Sequence, residues 1–118
     1  MPYKRILKEL VERTPQAVGA ILVDWEGEAV QEFCHCDPYD IRFIAAHKGI
    51  ILSRFREVHR SGAGGEVEEV VVSATEGHII IGVIDQDYSL VMSVGRGCPM
   101  GLALHHFRTA IGEFKKEI

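Results

Sequence analysis

The chain has 118 residues, of which 47% are hydrophobic and 25% charged, and its 13 basic and 17 acidic side chains give a formal charge of −4. This size and balance predict a single globular domain over residues 1–118, with a core that needs neither disulfides nor a structural metal. The acidic balance argues against a nucleic-acid partner, and no apolar run reaches the roughly 20 residues that span a membrane.

The first segment is predicted to be a short amphipathic helix that ends near Pro15. Its apolar positions recur at helical spacing: Ile6, Leu7, Leu10 and Val11. The N-terminus lacks the continuous apolar stretch of a signal peptide. The three cysteines are an odd number, which fits a reducing compartment better than a disulfide framework. We therefore expect a cytoplasmic protein.

A hairpin is predicted next. Residues 17–24 (AVGAILVD) form a compact, branched apolar run, and residues 28–33 (EAVQEF) alternate as a second strand. The turn residues Trp25, Glu26 and Gly27 separate the two runs.

Residues 38–60 are predicted to be a long helix with two apolar stripes. The larger stripe consists of Ile41, Ile44, Ala45, Ile51, Leu52, Phe55 and Val58. The smaller stripe, on nearly the opposite side, consists of Phe43, Ala46 and Ile50. Only one of the two stripes can face the core, which leaves the other exposed. An exposed apolar patch usually marks an interaction site. We expect the second stripe to face a second copy of the chain.

A glycine-rich link over residues 61–66 leads to three strand-like runs and a last helix. The runs are VEEVVVSA from Val67, HIIIGVID from His78 and YSLVMSV from Tyr88. Their turns are too short for a parallel crossover, which needs about a dozen residues, so neighbouring strands must be antiparallel. The last helix follows Pro99 and carries one apolar stripe, made of Met100, Ala103, Leu104, Phe107, Ala110, Ile111, Phe114 and Ile118.

The predicted order is therefore α-β-β-α-β-β-β-α. The simplest way to bury these apolar faces is an α+β domain with a single five-stranded antiparallel sheet packed by helices.

Cys34, His35 and Cys36 suggest a metal site only weakly. Zinc sites use cysteine pairs two to four residues apart with a second pair further along the chain. Here one residue separates the cysteines and no matching cluster follows. A site completed by His78 or by a second copy is conceivable, but packing of a loop is the better interpretation, and we predict no metal ligands.

Cys98 lies at a predicted strand-to-helix turn, where a helix N-terminus could lower the pKa of its thiol. No signature of a Cys–His hydrolase surrounds it, so we favour a structural thiol. Gly95, Gly97 and Gly101 follow a strand and open a helix, but their spacing departs from the dinucleotide-binding fingerprint. Arg96 could suggest an arginine finger, although a supporting or solvated arginine is the better interpretation. These residues predict no enzyme, no catalytic residue and no cofactor.

The chain resembles the Roadblock family of dynein light chains and their bacterial MglB-like relatives. The resemblance is carried by VGAILVDWEG before a strand, a long helix before a glycine-rich link, and then EVVVSATEGHIIIGVID, YSLVMSV and the Gly95-Arg96 turn into the last helix. These features cover essentially the whole chain in the same order.

The resemblance implies a Roadblock/profilin-like sandwich in which two copies join edge strands into one sheet and pair their long helices. Carried onto this sequence, VEEVVVSA is the edge strand. The implied dimer interface consists of Phe43, Ala46 and Ile50 on the long helix and Val70 and Val72 on the edge strand.

The resemblance also implies a function, because family members typically bind small Ras-like GTPases as regulators or scaffolds. Bacterial relatives act on a polarity or motility GTPase without contributing an evident catalytic residue. We therefore predict a homodimeric module that binds a small Ras-like GTPase. Two alternatives remain open: a small-molecule sensor with a closed pocket between sheet and helices, and a metal-binding protein that uses Cys34 and Cys36.

Overall fold

The structure is a computed structural model that describes residues 2–35 and 67–118. The helix predicted over residues 38–60 lies outside these ranges. The described elements are helix α1 (Tyr3–Arg13), strands β1 (Ala17–Asp24), β2 (Ala29–Cys34), β3 (Glu69–Ser73), β4 (Gly77–Val83) and β5 (Tyr88–Gly95), and helix α2 (Met100–Glu117). Neither described helix is long and apolar enough to cross a membrane.

The five strands form one antiparallel sheet in the order β2-β1-β5-β4-β3. This confirms the predicted five-stranded antiparallel sheet. The two central strands, β1 and β5, are far apart in the sequence, and their pairing joins the N-terminal hairpin to the C-terminal three strands. Within the described sheet, β2 and β3 are therefore the two edge strands.

Two aspartates order the turns at one end of this sheet. Asp24 Oδ1 accepts the amide N–H of Glu26 at 2.9 Å, and Asp85 Oδ1 accepts that of Asp87 at 2.8 Å. A short carboxylate that accepts a backbone N–H two residues ahead is a common way to close a turn. The β1–β2 and β4–β5 turns lie where the sequence predicts them.

Both described helices contribute to the core on one face of the sheet, which we call the helix face. Leu22 on β1 and Leu90 and Met92 on β5 have no exposed surface and share a cluster with Leu7 on α1 and Phe107 on α2. Since side chains alternate along a strand, the strand members of this cluster stand at alternate positions: Ala20 and Leu22 of β1, Ile80 of β4, and Leu90, Met92 and Val94 of β5.

The opposite face of the sheet carries a second apolar cluster. Its buried members are Ile21, Val23, Val70, Ile81 and Val91, and neither α1 nor α2 contributes to it. Val91 of β5 has no exposed surface either, so this central strand is buried on both faces.

The stripe predicted for the last helix is confirmed as far as Phe114. Ala103, Phe107, Ala110 and Phe114 are buried. Ile118, however, follows the last helical residue and is 41% exposed. Its N–H still donates to the Phe114 carbonyl at 2.9 Å, but its side chain is not covered, so the buried part of the stripe ends at Phe114.

Candidate interaction surface

Strand β3 is an edge strand that has a single neighbour, β4, among the described strands. Three consecutive valines, Val70 to Val72, give it a strong preference for extended backbone. Its pairing with β4 runs from Glu69 to Ser73 without a register shift. An edge strand of this kind presents a row of unpaired backbone N–H and C=O groups that can pair with another chain.

The valines of β3 point to different faces of the sheet. Val70 is only 6% exposed and packs in the second cluster, where Val72 is partly buried against it. Val71, opposite Ile80 of the core, lies on the helix face and is 41% exposed. The two predicted interface residues of this strand therefore face the second cluster, whereas the exposed valine lies between them.

An ion pair ties the start of β3 to helix α2. Arg108 Nε and Nη2 donate to the two carboxylate oxygens of Glu69, at 3.1 and 2.8 Å. This two-point arrangement matches the planar fork of a guanidinium to a carboxylate. The hydrogen bond to Glu69, together with its negative charge, raises the pKa of Arg108. The pair holds the edge strand against the helix.

The other end of β3 is held by different side chains. Arg96 Nη1 donates to the carbonyl of Ala74 at 2.8 Å, which ties the β3–β4 turn to the loop before α2. Ser73 Oγ and His78 Nδ1 lie 2.7 Å apart across the same hairpin. Arg96 is exposed and bonded to backbone, so its described contact supports the fold, in agreement with the structural interpretation favoured from the sequence.

A groove of about 660 Å³ lies between α2 and the β3–β4 side of the helix face. Phe107 and Ile111 line its apolar wall, while Glu68, Asp85 and Lys115 are among the charged residues at its margin. It lies at the rim of the sheet, whereas the small-molecule sensor hypothesis requires a closed pocket between the sheet and the helices. The core of the helix face is filled by fully buried side chains.

The residues considered for a metal site do not come together in the described parts of the chain. Cys34 is on β2 and His78 on β4, and strands β1 and β5 lie between them. Because neighbouring strands are about 4.8 Å apart, these side chains cannot share one ion. No group of three His, Cys, Asp or Glu residues suited to a metal occurs in the described ranges, and Cys36 lies outside them.

Cys98 has the properties of a structural thiol. It is 5% exposed and belongs to the core of the helix face. Burial raises the pKa of its thiol, which is the opposite of the lowered value that a nucleophile needs. The position at a helix start therefore does not activate it.

Only the part of the predicted dimer interface that belongs to β3 lies within the described residues. Phe43, Ala46 and Ile50 lie outside the described residues, and their role stays a prediction. No local pattern in the sequence reveals the ion pair of Glu69 with Arg108, because 39 residues separate the partners. Strand alternation puts Val71 on the face opposite its neighbours, but its exposure on that face is decided by the tertiary structure.

Comparison with known proteins gives matches among solved structures. No family model and no curated protein matches the sequence. A Roadblock/LC7 domain from Streptomyces avermitilis is 21% identical with a TM-score of 0.87, covering 97% of this chain and 95% of that one. Myxococcus xanthus MglB is 14% identical with a TM-score of 0.87, covering 98% and 94%. An MglB with a tetrameric arrangement is 17% identical with a TM-score of 0.86, covering 98% and 88%. The chain therefore has the Roadblock/LC7 fold.

Proposed function

We propose that this protein is a homodimeric interaction module that binds a small Ras-like GTPase and regulates or scaffolds it without a catalytic residue of its own. The observation that carries the proposal is the β3 edge strand, which is regular, rich in valine and paired on one side only among the described strands. The similarity in fold to MglB also supports the proposal of an interaction module.

In the proposed dimer, β3 pairs with β3 of a second copy, and Val70 and Val72 lie along the seam. The helix stripe of Phe43, Ala46 and Ile50 forms the other part of the seam. The dimer would work in the cytoplasm, where its cysteines stay reduced.

The GTPase would be regulated through the order of its switch loops. Docking of a rigid partner can favour one arrangement of these loops and so change the rate of GTP hydrolysis or the retention of nucleotide. This route needs no side chain from the module in the reaction itself.

The function is tested by mixing the purified protein with each small Ras-like GTPase of its source genome. Co-elution in size-exclusion chromatography and single-turnover GTP hydrolysis are the two measurements. We expect one GTPase to co-elute, in a nucleotide-dependent manner. If none binds and no hydrolysis rate changes, the GTPase proposal is wrong.

The dimer is tested with two matched valines on opposite edges of the sheet. Val71 on β3 and Val30 on β2 are each 41% exposed. A charge on an edge strand discourages pairing with another chain, so Val71→Asp should lower the mass measured by light scattering, whereas Val30→Asp should leave it unchanged. Equal masses for both variants and the wild type would contradict a β3 seam. Phe43→Asp and Ile50→Asp test the helix part in the same way.

A further inference from the structure

The two described helices cover only part of the helix face. Helix α1 packs over β1 and β2, and helix α2 packs over β4. Neighbouring strands are about 4.8 Å apart and a helix with its side chains is about 10–12 Å wide, so one helix covers about two strands. Strand β3, at the edge beyond β4, is the strand left over. The 41% exposure of Val71 on this face agrees with that.

The groove beside α2 occupies the uncovered part of the helix face. It measures about 660 Å³ and reaches from Glu69 and Gly82, which lie opposite each other in the β3–β4 register, to the β4–β5 turn. Its floor is apolar, because Gly82 has no side chain and the side chains of Phe107 and Ile111 lie against it. Ile111 is only partly buried. A partner in the groove can therefore bury more of this side chain.

The two walls of the groove carry opposite charges. The wall formed by α2 carries Arg108 and Lys115, which lie on one face of the helix because they are seven residues apart. The wall formed by the sheet and its turn carries Glu68, Glu69 and Asp85. Among the described residues, these five are all the charged side chains that line the groove. Basic and acidic groups are thus separated by the apolar floor.

The walls meet at one end of the groove and stay apart at the other. Arg108 Nη2 donates to Glu69 Oε2 at 2.8 Å, which joins them. At the open end, neither Lys115 nor the carboxylate of Glu68 has an ion-pair or hydrogen-bond partner among the described residues. Asp85 accepts backbone amides of its own turn through Oδ1. The open end therefore presents an ammonium group on one wall and carboxylates on the other, with no ion pair between them.

We propose that this groove binds an amphipathic helix of another protein, which lies beside α2 and carries acidic residues on one flank of its apolar stripe and basic residues on the other. The apolar stripe covers Ile111, the acidic flank faces Lys115, and the basic flank faces Glu68 and Asp85. A groove that receives the apolar stripe of a helix is a recurrent mode of recognition. A helix with the same charge on both flanks would be attracted by one wall and repelled by the other.

This surface is separate from the backbone edge of β3. The free N–H and C=O groups of an edge strand point along the plane of the sheet, whereas the groove lies above that plane, on the helix face. A guest helix can therefore bind whether or not β3 pairs with another strand. The inference goes beyond the proposed function and rests on neither the homodimer nor the GTPase.

Three synthetic helical peptides with the same leucine stripe, at i, i+3, i+4 and i+7, test the proposal. The first has glutamate on one flank and lysine on the other, the second has lysine on both, and the third has glutamate on both. Chemical-shift changes of the Gly82 and Ile111 amides report binding in the groove. We expect the mixed peptide to bind roughly fivefold more tightly than either of the others, because exchanging an attractive exposed pair for a repulsive one has an effect of this order.

Reversing the charge of the α2 wall should change which peptide binds best. Lys115→Glu makes both walls acidic, so the lysine-only peptide should become the tightest. Lys116→Glu is the matched control, because it changes the net charge equally at an exposed position that does not line the groove. It should keep the preference for the mixed peptide.

The sheet wall is tested in the same way. Glu68→Lys should weaken the mixed peptide relative to the glutamate-only peptide, because a basic group then stands on each wall. Glu76→Lys is its control, since Glu76 is exposed in the β3–β4 turn and does not line the groove. It should leave the ratio of the two dissociation constants unchanged.

Three results would overturn the proposal. The first is the absence of shifts at Gly82 and Ile111 with all three peptides at millimolar concentration. The second is a wild type that prefers a uniformly charged peptide, or equal effects of Lys115→Glu and Lys116→Glu, since net charge alone would then govern binding. The third is a shift of the same amides with protein concentration alone, which would mean that a second copy occupies the groove. None of these bears on the GTPase or the homodimer, which are measured by co-elution and light scattering.

Discussion

Phe107 of α2 lies directly against the backbone of Gly82 in β4. A Cβ atom built on Gly82 would stand 2.5 Å from Phe107 Cε2 and 3.1 Å from Ile111 Cδ1. Phe107 has no exposed surface. The missing side chain at Gly82 is what allows the helix to pack on this strand.

Gly82→Ala should therefore destabilise the protein. Its methyl group forces a buried ring to move, and overpacking of this kind costs about 1–3 kcal/mol in the free energy of unfolding. Urea denaturation followed by circular dichroism measures the loss. Gly112→Ala is the matched control, because no described atom outside its neighbouring residues and the adjoining helix backbone lies within 4 Å of its Cβ position. It should stabilise the helix by about 0.5–1 kcal/mol, and a neutral Gly82→Ala would show that the ring has room to shift.

Gln16 has a backbone conformation that is strained for a residue other than glycine. It has a φ of +61°, the only positive value among the described non-glycine residues. It follows Pro15 in a turn closed by the Ala17 N–H and the Thr14 carbonyl at 3.1 Å. Proline second and a positive φ third are the features of a type II turn, where glycine or asparagine is preferred.

Gln16→Asn should raise the unfolding free energy by about 0.5 kcal/mol, because asparagine tolerates this region better than glutamine does. Gln16→Val should lower it by about 1–3 kcal/mol, since a β-branched residue is strained at positive φ. Thermal denaturation of the two variants beside the wild type provides the check. The reverse order of stability would contradict the turn assignment.

The ion pair of Arg108 with Glu69 should control the local order of β3 more than the global stability. Arg108→Lys keeps the charge but loses the two-point hydrogen bond. We expect faster native-state hydrogen exchange at the β3 amides, with little change in the unfolding midpoint, because exposed ion pairs contribute little to stability. Arg5→Lys, in the exposed pair with Glu9, is the control and should leave β3 unchanged. Unaltered hydrogen exchange at the β3 amides of Arg108→Lys would contradict the proposal that this ion pair orders β3.

Cys98 should react slowly with iodoacetamide in the folded protein. Its raised pKa means that less thiolate is present at a given pH, and burial limits access as well. Peptide mass spectrometry at pH 8, with and without urea, measures the rate, and urea should increase it strongly. Rapid alkylation of the folded protein would contradict a buried structural thiol.

The raised pKa of Cys98 also determines how this residue makes the free energy of unfolding depend on pH. Because the folded state holds the Cys98 proton more tightly than the unfolded state does, the contribution of this group to stability is present below its ordinary pKa. It is lost as the pH rises toward and through the raised pKa. Cys98→Ala should therefore remove part of any loss of stability at alkaline pH, as measured by urea denaturation across that range.

The elements of this protein could be predicted from local sequence patterns. The strand predicted over residues 17–24 is confirmed as Ala17–Asp24, and the turn after Asp24 follows from its carboxylate and from Gly27, which has a φ of +85°. These signals are local because strand periodicity and turn chemistry depend on residues a few positions apart. The resemblance to the Roadblock family supplied the fold, which the solved structures bear out.

The sequence by itself therefore determined the strands, the turns, the stripe of the last helix and the antiparallel character of the sheet. Only the tertiary structure decided that β1 and β5 are its centre, that Glu69 meets Arg108, and that Val71 is the exposed valine of β3. The physical reason is that these contacts join residues distant in the chain. Their partners are selected by the packing of whole faces, which no short window of sequence contains.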